Sequence, residues 1–274
     1  MPEFICITCG TQFPASETAP HNCPICDDER QYVPPAGQQW TTLDNLARTH
    51  RNSIRQLEAG LLGIGTEPTF AIGQRALLVK TAAGNVLWDC VALLDDATIE
   101  VIGALGGIEA IAISHPHYYT TMVEWAWAFG APVYLHAADR EWVMRPDRAL
   151  QFWDDETLDI PGGLTLVRCG GHFAGSTVLH WPEGAGGRGA LLTGDTIQVL
   201  PDLEHVSFMR SYPNLIPLGA PAIEKIVRAV EPLKYDRIYG AWWDRHIEGD
   251  AKSAVARSAD RYLAAISADR VMKS

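Results

Sequence analysis

The chain has 274 residues, 47% of them apolar, which suits a large packed domain with a small appendage and excludes a disordered polypeptide. A formal charge of −11 supplies no general positive field for nucleic acid or an anionic membrane. No run approaches about 18 uninterrupted apolar residues, and the opening Met1-Pro2-Glu3-Phe4 lacks the basic-then-apolar pattern of a secretory leader, so cytoplasmic residence is expected.

In chain order, residues 1 to about 35 carry two cysteine pairs, several prolines and little apolar periodicity. They end in Tyr32-Val33-Pro34-Pro35-Ala36-Gly37, which reads as a linker, so the expected units are 1–37 and 38–274. A short helix is expected within residues 41 to 59. Strands follow at Thr69 to Gly73, Arg75 to Lys80 and Asn85 to Asp89, the last two joined by a hairpin loop at residues 81–84. Further strands are expected at Ala110 to Ser114, Val133 to His136, Leu164 to Arg168, Thr177 to Trp181 and Ala190 to Thr193. Between them Met122, Trp125, Ala126 and Phe129 share one helical face, stopped by Gly130-Ala131-Pro132. Pro182 to Gly189 reads as a mobile glycine-rich surface loop, and Val255, Ala259, Tyr262, Leu263 and Ile266 mark a closing amphipathic helix. The alternation implies a mixed α/β architecture.

Cys6-x-x-Cys9 and Cys23-x-x-Cys26 are two knuckles separated by 13 residues, against a usual spacing of roughly 15 to 20. Each tight turn aims two sulfurs at one ion, and two turns complete a tetrahedron with Zn–S near ~2.3 Å. The expected occupant is a structural zinc that stabilises a segment too small to fold unaided; the arrangement is similar to zinc-ribbon and rubredoxin-like knuckles, and iron would use the same ligands. Cys90 and Cys169 read as core residues.

Ser114-His115-Pro116-His117-Tyr118-Tyr119-Thr120 runs from an apolar strand towards a helix and places two imidazoles on the connecting turn, where α/β proteins put ligands. His172, in Cys169-Gly170-Gly171-His172, offers a third imidazole among glycines that permit close backbone approach. Asp195, after Gly194 at the end of a buried-looking strand, adds an anionic oxygen, and His246 follows Gly240 beyond another strand. Five such groups at strand ends point to a metal site. His136, His180 and His205 read as structural, with His205 the strongest exception, and Trp242 and Trp243 are candidates to line a pocket.

In this order, a strand leading into His-x-His, then Gly-Gly-His with a serine four residues on, then Gly-Asp, then Gly-x5-His, the chain resembles the metallo-β-lactamase superfamily over roughly residues 60 to 250. The resemblance implies a four-layer αββα sandwich, here with the four-cysteine segment in front. It also implies a site built by His115, His117, His172 and Asp195, with His246 as a further ligand or neighbour. Asp89 looks like the acidic residue that supports such sites from behind, and a turn-capping or ion-paired aspartate is the equal alternative.

The family motif HxHxDH departs at its last two positions, which are Tyr119 and Thr120 here. In the family these belong to a second metal, so the expectation is one catalytic ion, zinc with iron as the alternative. The implied activity is a metal-dependent hydrolase of a small carbonyl substrate (thioester, ester or lactone), using hydroxide on a single metal. Asp195 would orient the nucleophile and Tyr118 or Tyr119 donate to a developing oxyanion. The competing readings are a non-haem iron oxidoreductase of the same fold and a catalytically degenerate metal-binding or interaction protein. The expected partner is a small molecule, neither nucleic acid nor membrane, and self-association as a homo-oligomer stays open.

Overall fold

A computed structural model describes residues 1–267. Two sheets face one another. The first has seven strands in the order Leu150–Trp153, Val133–His136, Ala110–Ala112, Gly84–Trp88, Arg75–Thr81, Leu61–Glu67 and Arg51–Glu58. The second has six, in the order Thr157–Ile160, Leu164–Arg168, Thr177–Trp181, Ala190–Gly194, Arg237–Gly240 and His246–Ile247. Alternation along each strand sorts side chains between faces. Leu77, Val79 and Trp88 meet Leu166, Leu179 and Leu192 between the sheets. Ala76, Leu78 and Leu87 point the other way, into a cluster with residues of the helices Asp96–Ala104 and Met122–Phe129. On the far side, Val167, Val178 and Ile238 pack on the helices Ala220–Val230 and Ala251–Ile266. The result is the expected four-layer αββα sandwich. Among the described residues no helix is long and apolar enough to cross a membrane.

Local departures have physical causes. The expected helix in residues 41 to 59 stops at Thr49, and the rest of that stretch is strand Arg51–Glu58, hairpinned to Leu61–Glu67. Residues 69 to 73 form a turn instead of a strand. The glycines that disguised Leu61–Glu67 are packing residues: a Cβ on Gly63 or Gly65 would sit 2.8 or 2.6 Å from the Trp243 ring. Arg55 covers that indole, its guanidinium carbon 4.2 Å from the ring centre. The glycine-rich stretch at 182–189 closes into a tight turn with Ala185 and Gly186 at φ 54° and 65°, where Ala185 N donates to Glu58 Oε1 at 3.0 Å.

The N-terminal unit is a three-stranded sheet, Gln12–Ala15, Glu3–Cys6 and Trp40–Thr41, whose last strand lies beyond the proline turn. It is sealed to the sandwich. Gln12 N donates to Thr120 O at 3.0 Å, Arg145 donates to both Gln12 and Glu124, and Trp142 and Met144 pack on the cysteines.

Candidate metal centre

All four cysteines of the knuckles are buried, and their sulfurs gather within 4.8 Å of one another. Cys6 Sγ lies 3.6 Å from Cys26 Sγ, and Cys9 Sγ 3.6 Å from Cys23 Sγ. Four sulfurs on one tetrahedral ion at about 2.3 Å would stand about 3.8 Å apart, so the cluster is close to the size of a filled site.

A second group lies where three strands of the sandwich run out. Strand Ala110–Ala112 leads through Ser114 to His115 and the short 3-10 turn Pro116–Tyr118. Leu164–Arg168 leads to His172, and Ala190–Gly194 delivers Asp195. One ligand atom from each of His115, His117, His172 and Asp195 lies within 4.8 Å of the others, and all four residues are buried.

The rings are held from behind. Asp89, at φ 61°, turns its carboxylate so that Oδ1 accepts from Ser114 N at 2.7 Å. Ser114 Oγ is 2.9 Å from His115 Nδ1, which directs Nε2 inward, 3.8 Å from Asp195 Oδ2. His172 Nδ1 donates to Met209 O at 3.0 Å, so its Nε2 carries the lone pair, 3.2 Å from His117 Nδ1. Two nitrogens on one tetrahedral zinc at about 2.0–2.1 Å would be about 3.3 Å apart. Nε2 of His115 and of His117 are buried without a hydrogen-bond partner. Burial lowers all three imidazoles from their ordinary range, His172 to about 4, so the rings stay neutral and can offer lone pairs. Burial likewise raises Asp195 to about 7, against the opposing hydrogen bond from Tyr118. A buried cation held by His115 Nε2, His117 Nδ1, His172 Nε2 and Asp195 would take up those three lone pairs and the carboxylate charge, leaving only His117 Nε2 without a partner.

Several expectations change in this geometry. His246 stands apart, because the two-residue strand His246–Ile247 pairs it with Tyr239. Its ring stacks on that tyrosine and its Nε2 meets Glu248 Oε1 at 3.1 Å, so it does not join the cluster. Tyr119 is turned into the apolar core with Met122 and Trp125, its charged neighbour being Asp139, so it cannot serve as an oxyanion donor. Tyr118 does reach the site, but its hydroxyl is committed to Asp195 Oδ1 at 2.6 Å. His205 pairs with Asp202 at 2.9 Å, and His136 and His180 are held by backbone carbonyls.

Beside the cluster is a cavity of about 290 Å³ lined by His117, His172 and Asp195. Trp242 lines it as anticipated, whereas Trp243 lies under the glycine strand. Sequence reasoning missed Tyr212, whose hydroxyl reaches Asp195 O at 3.0 Å, and the pair Gln31 and Tyr32 that follows the second knuckle. No periodicity or motif marks either one.

No protein-family model matches the chain. It is 51% identical over 271 residues to the uncharacterized protein YmaE of Bacillus subtilis (strain 168), covering 98% of each chain. Among solved structures it is similar to a metallo-β-lactamase from Pontibacter korlensis (TM-score 0.56, 16% identity, 79% of this chain and 100% of that one). It is also similar to the DIM-1 metallo-β-lactamase exposed to ceftazidime (TM-score 0.59, 11% identity, 79% and 98%). A third is a B3 metallo-β-lactamase described as the first with an active site glutamic acid (TM-score 0.52, 20% identity, 77% and 90%). At these identities the likeness is one of fold.

Proposed function

Since this chain belongs to the family of Bacillus subtilis YmaE and carries the metallo-β-lactamase fold, we propose that it is a metal-dependent hydrolase of a small acyl compound, a thioester, ester or lactone, working with one ion. The observation that carries this reading is the convergence of three neutral imidazoles and one carboxylate beside an accessible cavity. An ion held there supplies Lewis acidity, polarising a carbonyl and bringing the pKa of water towards about 7.

The chain's own residues supply the rest. Tyr118, kept protonated by burial, fixes Oδ1 of Asp195 and leaves Oδ2 facing the histidines. That oxygen is the one left to meet the ion, and from there it would orient an attacking water by accepting its hydrogen bond. Neither Tyr118 nor Tyr119 is free to stabilise an oxyanion, so the polarised carbonyl depends on the ion for that stabilisation. Among the described residues a second ion beside the first lacks ligands. Tyr119 and Thr120 stand at the motif positions that would hold it, and His246 is turned away. A single ion favours activated acyl groups over phosphodiesters, whose cleavage benefits from a two-metal clamp. We assign zinc to both groups, structural at the cysteines and catalytic at the histidines.

The test is turnover of thioester, ester and lactone panels by metal-loaded protein, before and after chelation. Hydrolysis that disappears with the chelator and returns with zinc supports the reading. Oxygen uptake with iron bound and no hydrolysis overturns it.

A further inference from the structure

One wall of the cavity comes from the segment that leaves the second cysteine knuckle, and that wall is fastened. Asn214 Nδ2 donates to the carbonyls of Glu29 and Gln31 at 2.8 and 2.7 Å, and Ser211 Oγ donates to Arg30 O at 3.1 Å. The Arg30 guanidinium lies 3.9 Å from the centre of the Phe173 ring, next to His172. The knuckle therefore presents Gln31 to the cavity in one place.

Gln31 is only 5% exposed, and its Oε1 is buried with no hydrogen-bond partner. Leaving a buried carboxamide oxygen unpaired costs free energy, and in a residue that lines a cavity it is an acceptor that a bound ligand's donor would satisfy once the side chain turns towards it. Charge narrows what that ligand can be. Among the described residues no lysine or arginine lines the cavity, and the nearby Arg30 and Arg210 are paired with Asp28 and Glu29. An ion at the cluster would be taken up by the histidines, Asp195 and the scissile carbonyl, so a carboxylate elsewhere on the substrate would meet no side-chain counter-charge in the cavity wall.

We infer that Gln31 is the substrate-recognising residue. It pairs through its carboxamide with a polar group of an uncharged acyl compound whose apolar part lies against Ile72, Tyr212 and Trp242. The acyl part of this inference rests on the hydrolase reading; the recognition role does not.

The experiment compares wild type with Gln31→Leu, which keeps the volume and removes the hydrogen bond. The probes are uncharged phenyl esters, phenyl thioesters and γ-lactones bearing an amide, each matched with an analogue carrying a carboxylate in place of the amide. Metal content and melting temperature are measured on both proteins, so that a collapsed variant is recognised; Gln31→Asn, which keeps a shorter carboxamide, then replaces it. The wild type should prefer the uncharged series, and Gln31→Leu should raise KM about tenfold with kcat within about twofold and full metal content. An unchanged KM at full metal content, or preference for the carboxylate series, overturns the inference. Should the wild type turn over none of the compounds, the hydrolase reading fails separately. Recognition is then read from quenching of tryptophan fluorescence by the uncharged compounds: about tenfold weaker binding to Gln31→Leu supports it, and equal or absent binding overturns it.

Discussion

The hydroxyl of Tyr118 donates to Oδ1 of Asp195 across 2.6 Å, joining the residue that follows the second motif histidine to a carboxylate from the opposite sheet. Because that bond selects which carboxylate oxygen faces the cluster, Tyr118→Phe should lower kcat by about 10–100-fold while retaining metal. Steady-state kinetics beside elemental analysis checks this; full activity would reduce the tyrosine to a space-filler.

Metal stoichiometry should divide cleanly between the two groups. We expect about two ions per wild-type chain, and about one in either the His115→Ala/His172→Ala variant or the Cys23→Ser/Cys26→Ser variant. Elemental analysis decides it, and a histidine variant that keeps both ions would remove the cluster from consideration. The cysteine variant should also melt at lower temperature, because the ion replaces the apolar core that so small a unit lacks.

Trp243 fills the space that Gly65 leaves, so Gly65→Ala should destabilise the fold by about 1–3 kcal/mol. Gly103→Ala is the control. That position lies inside the helix Asp96–Ala104 with nothing within 4 Å of an added Cβ, and alanine there should stabilise by up to about 1 kcal/mol. Thermal melts of the two variants should move in opposite directions.

Burial raises the Asp139 carboxyl from 3.8 to about 6, although Gly175 N donates to its Oδ1 at 2.7 Å. The folded chain therefore binds this proton more tightly than the unfolded one. Its contribution to stability is complete below about pH 4 and is lost as the pH rises through about 6. Asp139→Asn keeps the acceptor and removes the titration. Urea unfolding from pH 4 to 7 should show wild type losing on the order of 2–3 kcal/mol relative to the variant. Parallel curves would contradict this.

The ligands at both groups were legible because each sits beside a local signal: a two-residue knuckle at Cys6 and Cys23, a strand end before His115 and Asp195, paired glycines before His172. The mixed α/β class followed from strand and helix alternation and the four-layer sandwich from the resemblance that the histidine motifs carry, and Val133–His136, Leu164–Arg168 and Thr177–Trp181 fall where expected. What escaped depends on contacts distant in sequence. Gly63 and Gly65 belong to a strand only because Trp243 covers them, Tyr119 is carried inward by the turn preceding its helix, and His246 is aimed by pairing with Tyr239. The Arg30 contact with the His172 loop spans 142 positions and leaves no periodic trace.

The two donor groups also differ in how much chain must be gathered before each exists. The cysteines lie between residues 6 and 26, whereas the histidine cluster needs residues 115 to 195 and strands from both sheets. Closing the shorter loop costs less entropy, so the knuckles can capture their ion from a chain whose sandwich has not yet formed. An ion-bound cysteine unit would then offer the seam of Gln12 and Arg30 as a surface against which the loops of Thr120 and His172 pack.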